Sequence, residues 1–278
     1  MNLPKMELFV PNPQSRGYGH QFRCFALKEA YESLGGSATI HYGTYPNELP
    51  DCIVVFDGLR PIYHKYDNAL IVYIDDSLPL DDYRVDVLIN QNTHIDAPFG
   101  NLSHLYGSLK CTKLIGFEYF MRRTDYNLVT VRDEGYIAFF PGSSSLLDEF
   151  PFRTHLMQTL EQYPIHRLSG LSSYQMADEI AGARLVITAC SVSALESCSI
   201  GKPTLVIQTA DNQFYLNTAL SYLGATLPYT RHNLFELLHS VESRELLGNR
   251  AKQLIPSDGA NRVALKLIEK AKEIGLND

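Results

Sequence analysis

Short apolar runs that end in glycine or polar residues alternate with helix-like stretches along this chain of 278 residues. The runs are rich in Val, Ile and aromatic residues, which is typical of strands buried on both faces of a parallel sheet. In the first half they span residues 6–11, 38–43, 52–58, 70–76 and 85–92. A helical pattern from His20 to Leu34 follows the first run and ends at Gly35-Gly36, a favourable C-cap. This alternation predicts an α/β layered domain.

The second half of the chain repeats the alternation. Its apolar runs span 136–142, 164–170, 184–190, 203–209 and 225–229. Its helix candidates are Leu146–Tyr163, Tyr174–Ala181, Ser193–Ile200, Phe214–Leu223, Leu234–Leu247 and Gly259–Ile274. With a boundary in the polar segment 122–134, we predict two Rossmann-like domains, residues 1–132 and 133–278. Ligands bind beyond the carboxyl ends of parallel strands, so we expect the site in a central cleft that both sheets face.

The composition excludes several classes of protein. The hydrophobic content of 45% is enough for a sizeable core, and the net charge of −7 argues against general nucleic-acid binding, which needs a basic face. No apolar run reaches the ~18 residues of a membrane helix, and we expect no secretory signal at the N-terminus. The five cysteines are widely spaced, with no CxxC and no zinc-like spacing. We therefore expect reduced thiols and a cytoplasmic location, and leave the oligomeric state open.

The first candidate site follows the first strand, in the segment Ser15–Arg23. Gly17 and Gly19 allow a tight turn and a close approach of the backbone to a ligand, and the helix start offers unpaired N–H groups to an anion. His20 lies at this helix start, and histidine is suited to general acid–base catalysis near neutral pH. On spacing alone an ordinary glycine turn with a capping histidine is equally compatible, because G-x-G-H is a weak pattern. The segment is not the dinucleotide-binding fingerprint, since the third glycine is missing.

Two further candidates follow strands of the second half. Gly142 and the serines after it are a plausible diphosphate cradle, although a plain serine N-cap turn is the more common structure. Ser191 or Ser193 is a candidate phosphate ligand, and Glu196 offers two acceptor oxygens to a ribose diol. The alternative for Ser193 and Glu196 is a capping box at a helix start.

Polar residues end three other strands. Asp211, Asn212 and Gln213 are candidates for hydrogen bonds to a sugar, with an Asx turn at a helix start as the alternative. Asp75 and Asp76 point to opposite faces of their strand, which excludes them as one acid–base pair, but one of them is a candidate to orient His20 or hold the first helix. The sequence Asn90-Gln91-Asn92 ends the next strand. No motif requires a metal ion.

Taken together and in this order, these elements resemble one family. The matching segments are SRGYGHQFRCFAL, VVFDG, VYIDD, DVLINQN, KLIGFEYFMRR, FFPGSSS, ARLVITACSVSALE and GKPTLVIQTADNQ, which cover most of the chain. They are similar to the UDP-2,4-diacetamido-2,4,6-trideoxy-β-L-altropyranose hydrolase of pseudaminic acid biosynthesis. That family is itself similar to the undecaprenyl-diphospho-muramoylpentapeptide N-acetylglucosaminyltransferases and other GT-B enzymes.

The resemblance implies a GT-B fold in which the second domain holds most of the UDP. It also implies hydrolysis of a UDP-sugar to UDP and a free sugar without an organic cofactor; a divalent metal is compatible with this chemistry, but no motif supports one. The histidine of the family's G-x-G-H element falls on His20. The predicted substrate-binding residues are Gly17, Tyr18, Gly19, Arg23, Gly142, Ser143, Ser191, Ser193, Glu196, Asp211, Asn212 and Gln213.

The match departs from the family at two loops. Pro141-Gly142-Ser143 stands where the family usually has Gly-Gly-Ser, and Ala189-Cys190 stands where it often has Gly-Gly. The exact sugar is therefore left open. We predict water attack at the anomeric carbon, with His20 as the base or the group that orients the water, and with helix N-termini stabilising the leaving UDP. The alternatives are a glycosyltransferase that passes the sugar to an acceptor, and a nucleotide-sugar-binding protein without turnover.

Overall fold

The computed structural model of the protein describes residues 3–12, 19–43, 51–58, 68–74, 85–98, 106, 109–140, 158 and 161–276. The chain forms two compact units, each built on one parallel β-sheet. The first unit comprises Met1–Ile95, Phe99–Arg122 and Asp258–Asp278, and the second comprises Asp96–Pro98 and Arg123–Ser257.

The first unit contains a six-stranded sheet. Its strands are β1 (Lys5–Val10), β2 (Ala38–Tyr42), β3 (Cys52–Asp57), β4 (Leu70–Ile74), β5 (Val87–Asn90) and β6 (Thr112–Ile115), in the spatial order β2-β1-β3-β4-β5-β6. All neighbouring strands are parallel. Strands β3 and β4 are buried along their whole length, as expected for apolar strands that are covered on both faces.

Helix α1 (Gly19–Ser33) connects β1 to β2 and packs Leu27 and Tyr31 into the core of the first unit. It ends where Gly35 adopts a φ of 91°. This left-handed conformation is easily reached only by glycine, so the predicted C-cap at Gly35 is confirmed.

The second unit contains a five-stranded parallel sheet. Its strands are β7 (Ile137–Phe140), β8 (Ile165–Arg167), β9 (Leu185–Ala189), β10 (Thr204–Ile207) and β11 (Leu227–Pro228), in the spatial order β11-β10-β9-β7-β8. Its helices are α2 (Ser173–Gly182), α3 (Val192–Ser199), α4 (Phe214–Tyr222), α5 (Arg231–His239) and α6 (Val241–Leu254). The predicted Rossmann-like α/β pattern is therefore present in both units, while residues 146–157 of one predicted helix lie outside the described residues.

The single helix predicted over Leu234–Leu247 is wrong, because the structure has two helices there. Ser240 has φ −106° and ψ 110°, which interrupts the helical backbone between α5 and α6. Its hydroxyl accepts a hydrogen bond from Ser243 N at 3.0 Å, so Ser240 is the N-cap of α6.

The C-terminal helix α7 (Gly259–Glu273) belongs to the first unit, although the sequence analysis assigned it to the second domain. Val263, Leu267 and Ala271 are fully buried in the core that also contains Met6 of β1. At the start of the helix, a Cβ on Gly259 would lie 2.2 Å from the carbonyl oxygen of Phe120. Only glycine fits this close approach of two backbone segments.

The five cysteines are free thiols, and all but Cys111 are buried. Burial raises the pKa of both Cys52 and Cys198 to about 12, so these thiols are poor nucleophiles near neutral pH. None of the helices in the described ranges is long and apolar enough to cross a membrane.

Replacing Leu267 with Ala is expected to lower the free energy of unfolding by about 2–4 kcal/mol, because it removes a fully buried side chain from the core. Leu265→Ala is the matched control, since Leu265 lies on the same helix but is 53% exposed; its effect should be below about 0.5 kcal/mol. Urea unfolding of the full chain measures both variants. Equal effects would contradict the packing of α7 in the first unit.

Candidate functional site

The first candidate site lies where the strand order of the first sheet reverses. Strand β1 has β2 on one side and β3 on the other, and the sheet continues from β3 in the opposite direction. Open parallel sheets bind their ligands beyond the carboxyl ends of the strands at such a switch point. The strand β3 ends here at Asp57, and the start of α1 reaches it through side-chain contacts.

The buried carboxylate of Asp57 is the centre of a hydrogen-bonded cluster. Arg23 Nε donates to Oδ2 at 2.5 Å, and Arg23 Nη2 donates to Oδ1. His20 Nδ1 lies 2.7 Å from Oδ1, and Cys24 Sγ donates to Oδ2 at 3.4 Å. One side chain of β3 therefore fixes three residues in the first two turns of α1.

The imidazole of His20 is held in place but remains accessible. Its side chain is 15% exposed, and its Nδ1 lies 2.9 Å from Arg23 Nη2 as well as beside Asp57. The ring also lies against Gly58, where an added Cβ would come within 2.5 Å of the imidazole Cε1. Gly58 has a φ of 66°, so its backbone conformation and the space for the ring both require glycine. A fixed, accessible imidazole at a switch point suits proton transfer with a ligand.

The predicted contact of Arg23 with substrate stays a prediction, and the structure gives its guanidinium group a partner inside the first unit. Arg23 is buried, and its guanidinium group binds both carboxylate oxygens of Asp57. Each charge of this buried pair compensates the desolvation of the other. Arg23 therefore stabilises the buried carboxylate of Asp57, and with it the contact between β3 and α1.

Asp57 is a residue of the candidate site that the sequence did not reveal, because the run CIVVFDG was interpreted only as a strand end. The signal that identifies it is the order of the strands, since β1 and β3 are neighbours and the turn after β1 must meet the end of β3. Gly19 is the first residue of α1. The residues Gly17, Tyr18, Asp75 and Asp76 lie outside the described residues.

The second unit has its own switch point, between β7 and β9, where Phe140 pairs with Thr188. Helix α3 starts beside it at Val192; its N-cap, Ser191, has an extended backbone and no side-chain hydrogen bond to the helix. Unpaired N–H groups at a helix start attract anions, and phosphate binding by Ser191 or Ser193 stays a prediction. The hydroxyl of Thr188 is buried and finds no hydrogen-bond partner within the described part of the chain. Gly142 and Ser143 lie outside that part.

The carboxylate of Glu196 on α3 is bound inside the second unit. Arg123 Nε donates to Oε1 and Arg123 Nη2 to Oε2, both at 2.5 Å, and the Tyr126 hydroxyl donates to Oε2 at 3.1 Å. Burial lowers the pKa of Arg123, but the Glu196 carboxylate outweighs it, and the net shift is upward. Burial and the same carboxylate raise the pKa of the Tyr126 hydroxyl well above its usual range. The cluster thus holds a charged guanidinium group and a neutral phenol.

These contacts exclude one of the two interpretations of Glu196. The helix starts at Val192 with Ser191 as its N-cap, so Ser193 and Glu196 do not form a capping box. Both carboxylate oxygens accept hydrogen bonds from Arg123 and Glu196 is fully buried, and its contact with a ribose diol stays a prediction. Ser193 is buried within the first turn of α3.

The predicted sugar-binding residues Asp211, Asn212 and Gln213 form a single 3-10 turn after β10. Gln213 stabilises this turn, since its Oε1 accepts a hydrogen bond from Thr209 N at 2.7 Å and its Nε2 donates to Thr209 Oγ1 at 3.1 Å. Asp211 and Asn212 are exposed. Their contact with a sugar stays a prediction.

Neither buried carboxylate is arranged to bind a cation. The oxygens of Asp57 and Glu196 already accept hydrogen bonds from arginine, and in the described ranges no group of three or more His, Cys, Asp or Glu side chains is placed to hold a metal ion. The involvement of a divalent metal stays untested.

No family model matches the chain, and no curated protein sequence matches it. Several solved structures do. The spinosyn forosaminyltransferase SpnP is 12% identical with a TM-score of 0.64, over 99% of this chain and 100% of that one. MurG of Acinetobacter baumannii is 12% identical with a TM-score of 0.60, over 96% and 100% of the two chains. MnaA of S. aureus, solved with UDP, is 11% identical with a TM-score of 0.58, over 99% of both chains.

The similarity extends over nearly the whole length of all these chains, and both units of this protein contain a parallel α/β sheet. The chain therefore has a GT-B-like fold with two Rossmann-like domains, as predicted. At 11–12% identity the comparison shows the fold alone.

Replacing Glu196 with Gln is expected to lower the free energy of unfolding by about 3 kcal/mol, because Arg123 stays buried without its counter-charge. Glu245→Gln, on the exposed side of α6, is the control and should cost less than about 0.5 kcal/mol. Chemical denaturation of the two variants measures the difference. If both are tolerated equally well, the buried ion pair does not stabilise the second unit.

Proposed function

We propose that this protein is an enzyme that hydrolyses a UDP-activated amino-deoxy sugar, releasing UDP and the free sugar, in pseudaminic-type acid or surface polysaccharide biosynthesis. The observation that carries the proposal is the His20 imidazole, fixed by Asp57 and Gly58 at the switch point of the first sheet and partly exposed. The GT-B-like fold supports a nucleotide-sugar ligand, since it is shared with a forosaminyltransferase and with a protein solved with UDP.

The proposed reaction is a displacement at the anomeric carbon. The oxygen of a water molecule bonds to this carbon while the bond from the carbon to the phosphate oxygen breaks, and that electron pair leaves with UDP. His20 takes the proton of the water. Hydrogen-bond donors fixed before the reaction stabilise the charge that develops on the diphosphate. We assign this task to the start of α3 with Ser191, and to Gly142 and Ser143.

The second candidate function is sugar transfer to an acceptor other than water. It is favoured by the likeness to SpnP, a forosaminyltransferase, over 99% of this chain. The donor site and the role of His20 stay the same, but the proton comes from an acceptor hydroxyl. A protein that binds UDP-sugars without turnover is the third candidate.

Incubation with a panel of UDP-sugars, followed by NMR of the products, tests these functions. We expect UDP and a free amino-deoxy sugar to appear in buffer alone, because water is the proposed acceptor. UDP release only after an acceptor is added would establish the transferase. UDP binding in calorimetry without any turnover would establish the binding protein.

Replacing His20 with Ala is expected to lower kcat by about 100-fold or more and to leave the affinity for UDP nearly unchanged, because the imidazole acts on the water and not on the nucleotide. The matched control is His232→Ala, since His232 has a strongly exposed side chain on α5. Steady-state kinetics and UDP calorimetry give both quantities. A fully active His20→Ala enzyme would remove His20 from the mechanism.

A further inference from the structure

We infer that Asp57 is a positioning residue that sets the tautomer of His20, and that Arg23 and Gly58 keep this pair in register. The inference rests on the proposed function, in which the His20 imidazole accepts a proton. It adds a role for Asp57 and Arg23 that does not depend on a contact with the substrate.

The proton on His20 follows from three contacts around one oxygen. Asp57 Oδ1 accepts from Arg23 Nη2 and lies 2.7 Å from His20 Nδ1, while Nη2 and Nδ1 are 2.9 Å apart. The guanidinium can only donate, and a carboxylate paired with it can only accept. Nδ1 must therefore carry a hydrogen to bind Oδ1. The close approach of Nη2 to Nδ1 is then the result of two donors converging on one acceptor.

With its proton on Nδ1, the neutral imidazole carries its lone pair on Nε2. This is the tautomer that a general base needs if Nε2 is directed to the water. The opposite tautomer, with hydrogen on Nε2, would leave Nδ1 and Oδ1 as two acceptors at 2.7 Å, which is repulsive. Asp57 therefore selects the basic form of His20 through a contact on the far side of the ring.

Arg23 makes this arrangement possible in a buried place. Asp57 has no exposure to solvent, and a buried carboxylate without a counter-charge is strongly unfavourable. Arg23 lies three residues after His20 on the same helix face, so both donors reach the carboxylate from one turn of α1. Gly58 lies next to Cε1 of the imidazole and so restricts the position of the ring.

A double-mutant cycle on the full chain separates positioning from a merely structural role. Asp57→Asn is expected to lower kcat by about 100-fold, no more than the loss of the imidazole in His20→Ala, because the amide nitrogen can donate to Nδ1 and stabilise the wrong tautomer. In the His20→Ala background the same substitution should change kcat less than about threefold, and UDP affinity should stay unchanged in both. Equal losses of kcat in the two backgrounds would overturn the inference.

Nitrogen-15 NMR of the wild-type protein gives a readout that needs no turnover and does not depend on the folding of Asp57→Asn. We expect the neutral His20 ring to carry its hydrogen on Nδ1, with the signal assigned by its loss in His20→Ala. A ring protonated on Nε2 would overturn the role of Asp57 even if the enzyme hydrolyses UDP-sugars. Conversely, a protein that turns over no UDP-sugar but shows the Nδ1–H form would refute the proposed function and leave the positioning intact.

Discussion

A carboxylate buried at the end of a central strand must find every hydrogen-bond donor inside the protein, and Asp57 meets this condition by binding the start of helix α1. This need for internal donors fixes the positions of several side chains. Because Arg23 and His20 both reach the carboxylate, the first turns of the helix are tied to the strand at the switch point. The contacts that compensate the buried charge of Asp57 therefore also fix the position of the His20 imidazole.

The second unit uses the same kind of bond at its own switch point, with the partners exchanged. There the carboxylate of Glu196 lies on the helix after β9, and the guanidinium of Arg123 comes from the segment before β7. In both units an arginine–carboxylate pair anchors the helix that starts at the switch point of the sheet. The pair does not use the backbone N–H groups at these helix starts, so the anchoring of the helix leaves them available.

The local pattern of the sequence was enough to predict every strand except β6, most helices, the C-cap at Gly35 and the place of His20 at a helix start. What it could not predict depends on residues far apart in the chain. Asp57 becomes significant only once β1 and β3 are known to be neighbours, and Arg23 and Glu196 look like surface ligands until their buried partners are found. The break at Ser240 was missed because the apolar spacing continues across the N-cap of α6. The amphipathic pattern of α7 predicts a buried face, but it does not indicate which of the two hydrophobic cores this face packs against.

The assembly of the first unit from both ends of the chain has a consequence for its synthesis. Val263 and Leu267 of α7 complete the core around Met6. The helix begins at Gly259, which lies close to the backbone of Phe120. Residues 123–257, which make up nearly all of the second unit, leave the ribosome earlier than α7. The second unit can therefore fold while the first sheet still exposes the apolar face that α7 will cover. Until α7 is made, this apolar face stays exposed on the nascent chain, where a chaperone can protect it.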